Sequence, residues 1–174
     1  MKIHLLSDIH TEFHKGGNVK TRLLEPLVRP ADVLVLAGDI GTGRTNVLDV
    51  IKFFAKHYAR VIYVAGNHEY YNDSLTLDAY NHPSFVLSLP ENADFLNPGK
   101  VVIDDVTFIG GTLFTNFQED PLAEEAAKRG INDFRWHSTE EYKRRFYEHS
   151  QYFKLCYEHR TTEKIVFVSH FLPD

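Results

Sequence analysis

Four short apolar runs, each ending abruptly in a polar cluster, set the rhythm of the chain. Residues 2–7 centre on Ile3, Leu5 and Leu6, residues 32–39 read Asp-Val-Leu-Val-Leu-Ala-Gly-Asp, and residues 60–65 and 164–169 have the same form. An unbroken run of strand formers, rather than an alternation, is what a strand covered on both faces looks like. Between the second and third runs, Val47, Ile51, Phe54, Ala55 and Tyr58 recur at helical spacing, with Thr45 or Asn46 as the expected N-cap. Residues 19–28 carry a weaker helical periodicity, broken by Pro26 and closed by Pro30. The order strand, helix, strand, helix, strand implies right-handed crossovers and a parallel sheet, with every polar strand ending on one edge.

Residues 70–97 are rich in Asn, Asp, Ser and Pro and are expected to hold one short helix and one short strand. Residues 100–104 and 106–110 read as a hairpin around Asp104-Asp105. Asp120-Pro121 opens a helix that Gly130 closes. Ser138-Thr139-Glu140-Glu141 has capping-box form, and behind it Tyr142, Phe146, His149, Phe153 and Cys156 mark one face of a long helix. The run Lys143-Arg144-Arg145 reads as a solvated helix face, with nucleic-acid contact as the minor alternative. With no repeats, low-complexity tracts or linkers, residues 1–174 are expected to form one α/β domain.

Chemistry-bearing residues cluster where the strands stop. The first run ends in Asp8 and His10, the second in Gly38 and Asp39, the third in Asn67 and His68, and the last in His170. Taken singly, these are ordinary turn residues. An acid at the C-terminal end of a buried strand nevertheless sits at the edge where open α/β sheets hold ligands, and a glycine beside it lets the backbone turn sharply. Gathered on one edge, the set offers carboxylates, imidazoles and an amide oxygen without thiolate, a mixture that suits manganese first and also iron, zinc or nickel. Two divalent metal ions ~3.5–4 Å apart would need a bridging carboxylate, and Asp39 is placed for that task. The other histidines, at positions 4, 14, 57, 82, 137, 149 and 159, are read as surface or core residues.

Composition narrows the partners. A net charge of -5 with interleaved signs argues against a protein that coats polyanions. Small phosphate esters stay compatible, because a metal supplies positive charge locally. Cys156 is the single cysteine, which excludes an intrachain disulfide and points to a reducing compartment. The start of the chain does not resemble a signal peptide and no apolar run approaches the ~20 residues of a membrane helix. A cytoplasmic location with no membrane partner is the expectation; the oligomeric state is not legible.

Asp8-x-His10, Gly38-Asp39, Gly66-Asn67-His68-Glu69 and Ser169-His170, in that order and each after an expected strand, resemble the calcineurin-like metallophosphoesterases. Residues 110–117 (Gly-Gly-Thr-Leu-Phe-Thr-Asn-Phe) and Asn132-Asp133-Phe134-Arg135 are similar to segments of a bacterial and phage branch of that superfamily. The resemblance implies an α/β/β/α sandwich and a phosphoesterase acting on a phosphomonoester or phosphodiester, a phosphorylated small molecule or nucleotide. It further implies that Asp8, His10 and Asp39 hold one metal, that Asp39, Asn67 and His170 hold the other, and that a bridging hydroxide attacks phosphorus in line while His68 protonates the leaving oxygen. A nuclease and a non-catalytic scaffold of the same fold are the competing readings. Arg44, in the loop after Asp39, could reach a phosphate. The Gly-Asp-x-x-Asp-Arg-Gly form of the superfamily's protein phosphatases is missing, which argues against that activity. Arg135 is either a substrate contact or a helix-flanking charge. The family pattern also closes with a Gly-His-x-His motif that these 174 residues do not contain. The expectation is therefore a longer protein, with the second sheet incomplete here and three ligands per metal.

Overall fold

The computed structural model describes residues 1–14, 19–71 and 76–173. Strands β1 (Ile3–Leu6), β2 (Val33–Ala37), β3 (Arg60–Val64) and β4 (Ala93–Phe95) form one parallel sheet in that spatial order. The register pairs Leu6 with Leu36, Leu36 with Tyr63 and Tyr63 with Phe95, so the strand ends lie level. A second sheet holds β5 (Gly99–Ile103), β6 (Val106–Gly110) and β7 (Lys164–Val168). The expected hairpin is the antiparallel β5–β6 pair, and β7 runs parallel to β6 with Val168 beside Gly110.

The unbroken apolar runs are explained by burial on both faces. Along β2 and β3, Val33, Val35, Ala37, Ile62 and Val64 face the second sheet and pack against Ile103, Val106, Phe108 and Val168. Their alternates, Leu34, Leu36, Val61 and Tyr63, join a separate core with Val47, Val50, Ile51 and Phe54 of helix α1 (Arg44–Phe54). On the far side, α4 (Thr139–Glu158) lays Phe153 on Phe167 of β7 at a ring separation of 5.6 Å. The result is helix, sheet, sheet, helix. The region 70–97 supplies a single-turn helix α2 (Pro83–Val86) and β4, and α3 (Pro121–Gly130) starts on Asp120, whose side chain accepts from the Leu122 N–H. Ser138 caps α4 by accepting from the Glu141 N–H at 3.1 Å.

Residues 19–28 hold only a π-type turn (Lys20–Leu24) and a 3-10 turn (Glu25–Leu27), the short helical pieces that Pro26 allows. Two expectations are corrected. The N-cap of α1 is Gly43, with no side-chain cap bond; Asn46 lies inside the first turn, and its amide N–H donates to Thr11 Oγ1 at 2.8 Å. Arg145 does not lie on a solvated face: it is 5 % exposed and bound to Asp78 and Glu148, so the buried stripe of α4 runs Tyr142, Arg145, His149, Cys156. Phe146 and Phe153 lie at its margin, half-buried.

Candidate metal centre

The turns after β1 and β2 are laced together by backbone bonds. Asp8 N–H donates to Gly38 O at 3.1 Å, His10 N–H to Asp39 O at 2.9 Å and Thr11 N–H to Ile40 O at 3.2 Å. Asp8, His10 and Asp39 all adopt left-handed backbone angles, φ 54, 49 and 52, which fold the chain back at the strand ends. Such angles carry strain for residues with a side chain and cluster where a site demands them. Two glycines make the close approach possible. A Cβ on Gly66 would stand 2.1 Å from Asp39 Oδ1, and one on Gly38, at φ 88, would stand 2.5 Å from His170 Nδ1.

Asp39 is the hub. It is 4 % exposed, and its Oδ1 accepts the His68 N–H at 2.9 Å. Its Oδ2 lies between two imidazoles, 3.7 Å from His10 Nε2 and 3.5 Å from His170 Nε2. Asp8 Oδ1 is 3.9 Å from His10 Nε2. On the other side, His170 Nδ1 donates to Ala37 O at 2.9 Å, which turns Nε2 toward Asp39 and toward Asn67 Oδ1 at 3.2 Å. All five residues expected as metal ligands, Asp8, His10, Asp39, Asn67 and His170, thus meet, and each is carried by the end of a strand or the turn after it. Burial opposes charge on both Asp39 and His170, yet their mutual attraction prevails. It holds Asp39 below the ordinary carboxylate range and His170 up to about 9.

His68 sits beside this group rather than apart from it. Its ring meets His10 edge-on at 4.5 Å, and the triplet His10, Asp39, His68 could itself hold a cation, as could Asp8, Asp39 and His170. The donor set of acids, amide and imidazoles without thiolate, and a buried carboxylate oxygen poised between two imidazole nitrogens, fit divalent cations.

Three acids that the sequence quoted or passed over, without a role, organise the site. Glu12 Oε1 accepts from Nδ1 of both His10 and His68, each at 3.0 Å. One oxygen thereby fixes two rings through Nδ1, and the Nε2 of His10 is turned toward Asp39 Oδ2. Asp133 Oδ1 accepts from Asn67 Nδ2 at 2.9 Å and from the Tyr71 hydroxyl, while its Oδ2 takes the Tyr142 hydroxyl at 2.7 Å. This pins the amide so that its oxygen faces His170. Glu69 is fully buried beneath Asp39. Its carboxyl accepts from Asp39 N–H at 3.0 Å, Ile40 N–H at 2.9 Å and Gly66 N–H at 2.8 Å, tying the β2 and β3 turns together. Burial and the charge of Asp39 outweigh the backbone N–H bonds, those of Ile40 and Gly66 among them, and push Glu69 up to about 8.

The two candidate arginines fall outside the cluster. Arg44 is exposed on the first turn of α1 and lines a depression with Thr45, Leu48 and Ser84. Arg135 is exposed at the end of a 3-10 turn (Asn132–Arg135) that also carries Asp133, and it lines a cavity with Lys128, Trp136 and His137. Among the described residues, none of the histidines read as structural joins a group able to hold a metal.

Two stacked sheets with acids, an amide and imidazoles gathered at level strand ends define a class, the α/β/β/α metallophosphoesterases. The family model for calcineurin-like phosphoesterases matches residues 1–174, and the chain belongs to that family. It is 32% identical over 147 residues to the uncharacterized protein L509 of Acanthamoeba polyphaga mimivirus, covering 76% of this chain and 50% of that one. The chain therefore spans about half the length of this curated relative. The phosphopantetheinyl hydrolase PptH of Mycobacterium tuberculosis has a similar fold, with a TM-score of 0.75 at 20% identity, over 98% of this chain and 68% of that one. No helix among the described residues is long and apolar enough to cross a membrane.

Proposed function

We propose that the chain is a metal-dependent phosphoesterase that hydrolyses a phosphomonoester or phosphodiester, a phosphorylated small molecule or nucleotide. The observation that carries this reading is Asp39 Oδ2 lying 3.7 Å from His10 Nε2 and 3.5 Å from His170 Nε2, a carboxylate oxygen flanked by two imidazole nitrogens. Asp8, His10 and Asp39 would hold one divalent cation and Asp39, Asn67 and His170 a second, with manganese the first expectation and iron, zinc or nickel the alternatives. Bound there, the cations would supply charge neutralisation for phosphoryl oxygens and a water acidic enough to react near neutral pH.

The remaining work belongs to side chains. His68, fixed through Nδ1 by Glu12, gives the proton on Nε2 to the leaving oxygen. Asp133 keeps the Asn67 oxygen turned toward His170, and Glu69 holds the Asp39 backbone in its left-handed turn. The family and the hydrolase of similar fold support a phosphoester substrate in general. The test is hydrolysis of bis-p-nitrophenyl phosphate and p-nitrophenyl phosphate with added manganese. Asp39→Asn should abolish metal-stimulated turnover, and His68→Ala should lower kcat by about 10²–10⁴-fold. Manganese binding with no turnover of either ester would favour the scaffold reading, and nicking of DNA in preference to both would favour the nuclease.

A further inference from the structure

The imidazole of His68 is walled by aromatic rings, none of them a candidate metal ligand. Tyr71 stacks on it at 4.4 Å with an interplanar angle of 29°, and Phe13 meets it edge-on at 6.0 Å and 77°. Tyr71 in turn lies 6.4 Å from Trp136 at 31°, continuing the stair outward. Scattered exposed aromatics are common on protein surfaces. Here Phe13 is 67% exposed and Trp136 46% exposed, the first against the His68 ring itself and the second linked to it through Tyr71. Trp136 also shares a cavity of about 510 Å³ with Lys128, Phe134 and Arg135, a volume within the range that holds a small organic ligand. Large flat faces beside a polar centre, with a guanidinium on the same turn, match a ligand that is planar at one end and anionic at the other.

We infer that Phe13, Tyr71 and Trp136 form a subsite that selects phosphate esters carrying a heteroaromatic ring, in chemical class the nucleotides. This rests on the phosphoesterase reading for the orientation, in which His68 faces the leaving oxygen and the rim receives the group attached to it. The rim acts by stacking, so it would tolerate any base and discriminate against esters with no ring.

Trp136 is the single tryptophan, so its fluorescence reports on the rim directly. The chain, in EDTA and again with manganese, is titrated with adenosine 5′-monophosphate and with ribose 5-phosphate as the ringless control. The nucleotide should quench Trp136 and the sugar phosphate should not. Phe13→Ala, with its circular dichroism checked against the parent, should bind the nucleotide about 5–100-fold more weakly, the loss expected from removing one base-stacking aromatic. In turnover, the ratio of kcat/KM for ring-bearing over ringless esters should fall in Phe13→Ala and in Trp136→Ala. Equal quenching by the two ligands, or nucleotide binding unchanged in a folded Phe13→Ala, overturns the proposal. Ring-selective quenching without hydrolysis of any ester supports the rim while removing the phosphoesterase reading. Hydrolysis with no ring preference in the parent chain does the reverse.

Discussion

Replacing Glu69 should damage the fold before it touches any chemistry. Its carboxyl receives three buried backbone N–H groups, from Asp39 and Gly66 on Oε2 and from Ile40 on Oε1. Glutamine can keep the first two on its single oxygen, but its amide then confronts the Ile40 N–H, leaving one buried donor unpaired at a cost of about 1–3 kcal/mol. Alanine orphans all three, and at the lower end of the same range that already amounts to about 3 kcal/mol, a large share of the ~5–15 kcal/mol that holds a domain folded. Urea unfolding followed by far-UV circular dichroism reads this directly. With a slope of about 1–3 kcal/mol per molar, Glu69→Gln should lower the midpoint by roughly 1 M, and Glu69→Ala should lower it further. The pH dependence has a definite sign. The folded pKa, about 8, lies above the ordinary 4.5, so Glu69 contributes stability that is full below 4.5 and is lost as pH rises through about 8. The gap between the parent and Glu69→Gln should therefore narrow from about pH 5 to about pH 9. An alanine variant whose midpoint matches the parent's would show that the three donors find other partners, and the clamp would be refuted.

The residues that could be read from sequence are those whose role follows from their place on a strand. Asp8, Asp39, Asn67 and His170 stand at or just beyond the ends of apolar runs, and a level parallel register is enough to bring such ends together. Residues missed owe their roles to partners distant in the chain. Glu12 meets His68 56 positions later, Asp133 meets Asn67 66 positions earlier, and Arg145 is buried by Asp78 from 67 positions away. Periodicity carries no trace of such pairings, so Arg145 in a run of three cations read as solvated surface. The mistaken cap on α1 has another source: Asn46 is a good N-cap by type, but the helix already begins at Arg44 after Gly43, which puts Asn46 inside its first turn. Glu69 was visible in its motif, yet a motif letter does not say that its carboxyl would be spent on backbone.

Other perturbations follow from the same geometry. Glu12→Gln should weaken manganese affinity by about 10–100-fold through the loosened His10 ring, read by isothermal calorimetry, with the fold unchanged. Gly66→Ala places a Cβ 2.1 Å from Asp39 Oδ1 and 2.6 Å from its backbone nitrogen, and should lower the melting temperature as an overpacked core does, by the equivalent of about 1–3 kcal/mol. His149 is fully buried, accepts the Leu113 N–H at 3.0 Å and is held down to about 4, chiefly by burial and then by the charge of Arg145. Its folded pKa lies below the ordinary 6.5, so its contribution, up to about 3 kcal/mol, is present above 6.5 and is lost as pH falls toward 4. His149→Gln, which keeps an acceptor but cannot become charged, should show a shallower acid-side loss in urea midpoints. Metal binding should itself depend on pH, because His170 is held up to about 9 by Asp39 against the opposing effect of burial, and an imidazolium offers no lone pair to a cation. Manganese affinity should therefore climb from neutral pH until about 9 and then level off, with about one proton released from His170 per binding event in calorimetry across buffers of different ionisation enthalpy. Affinity that is flat over that window, with no proton released, would mean that His170 is not a ligand and that its bond to Ala37 serves the fold alone.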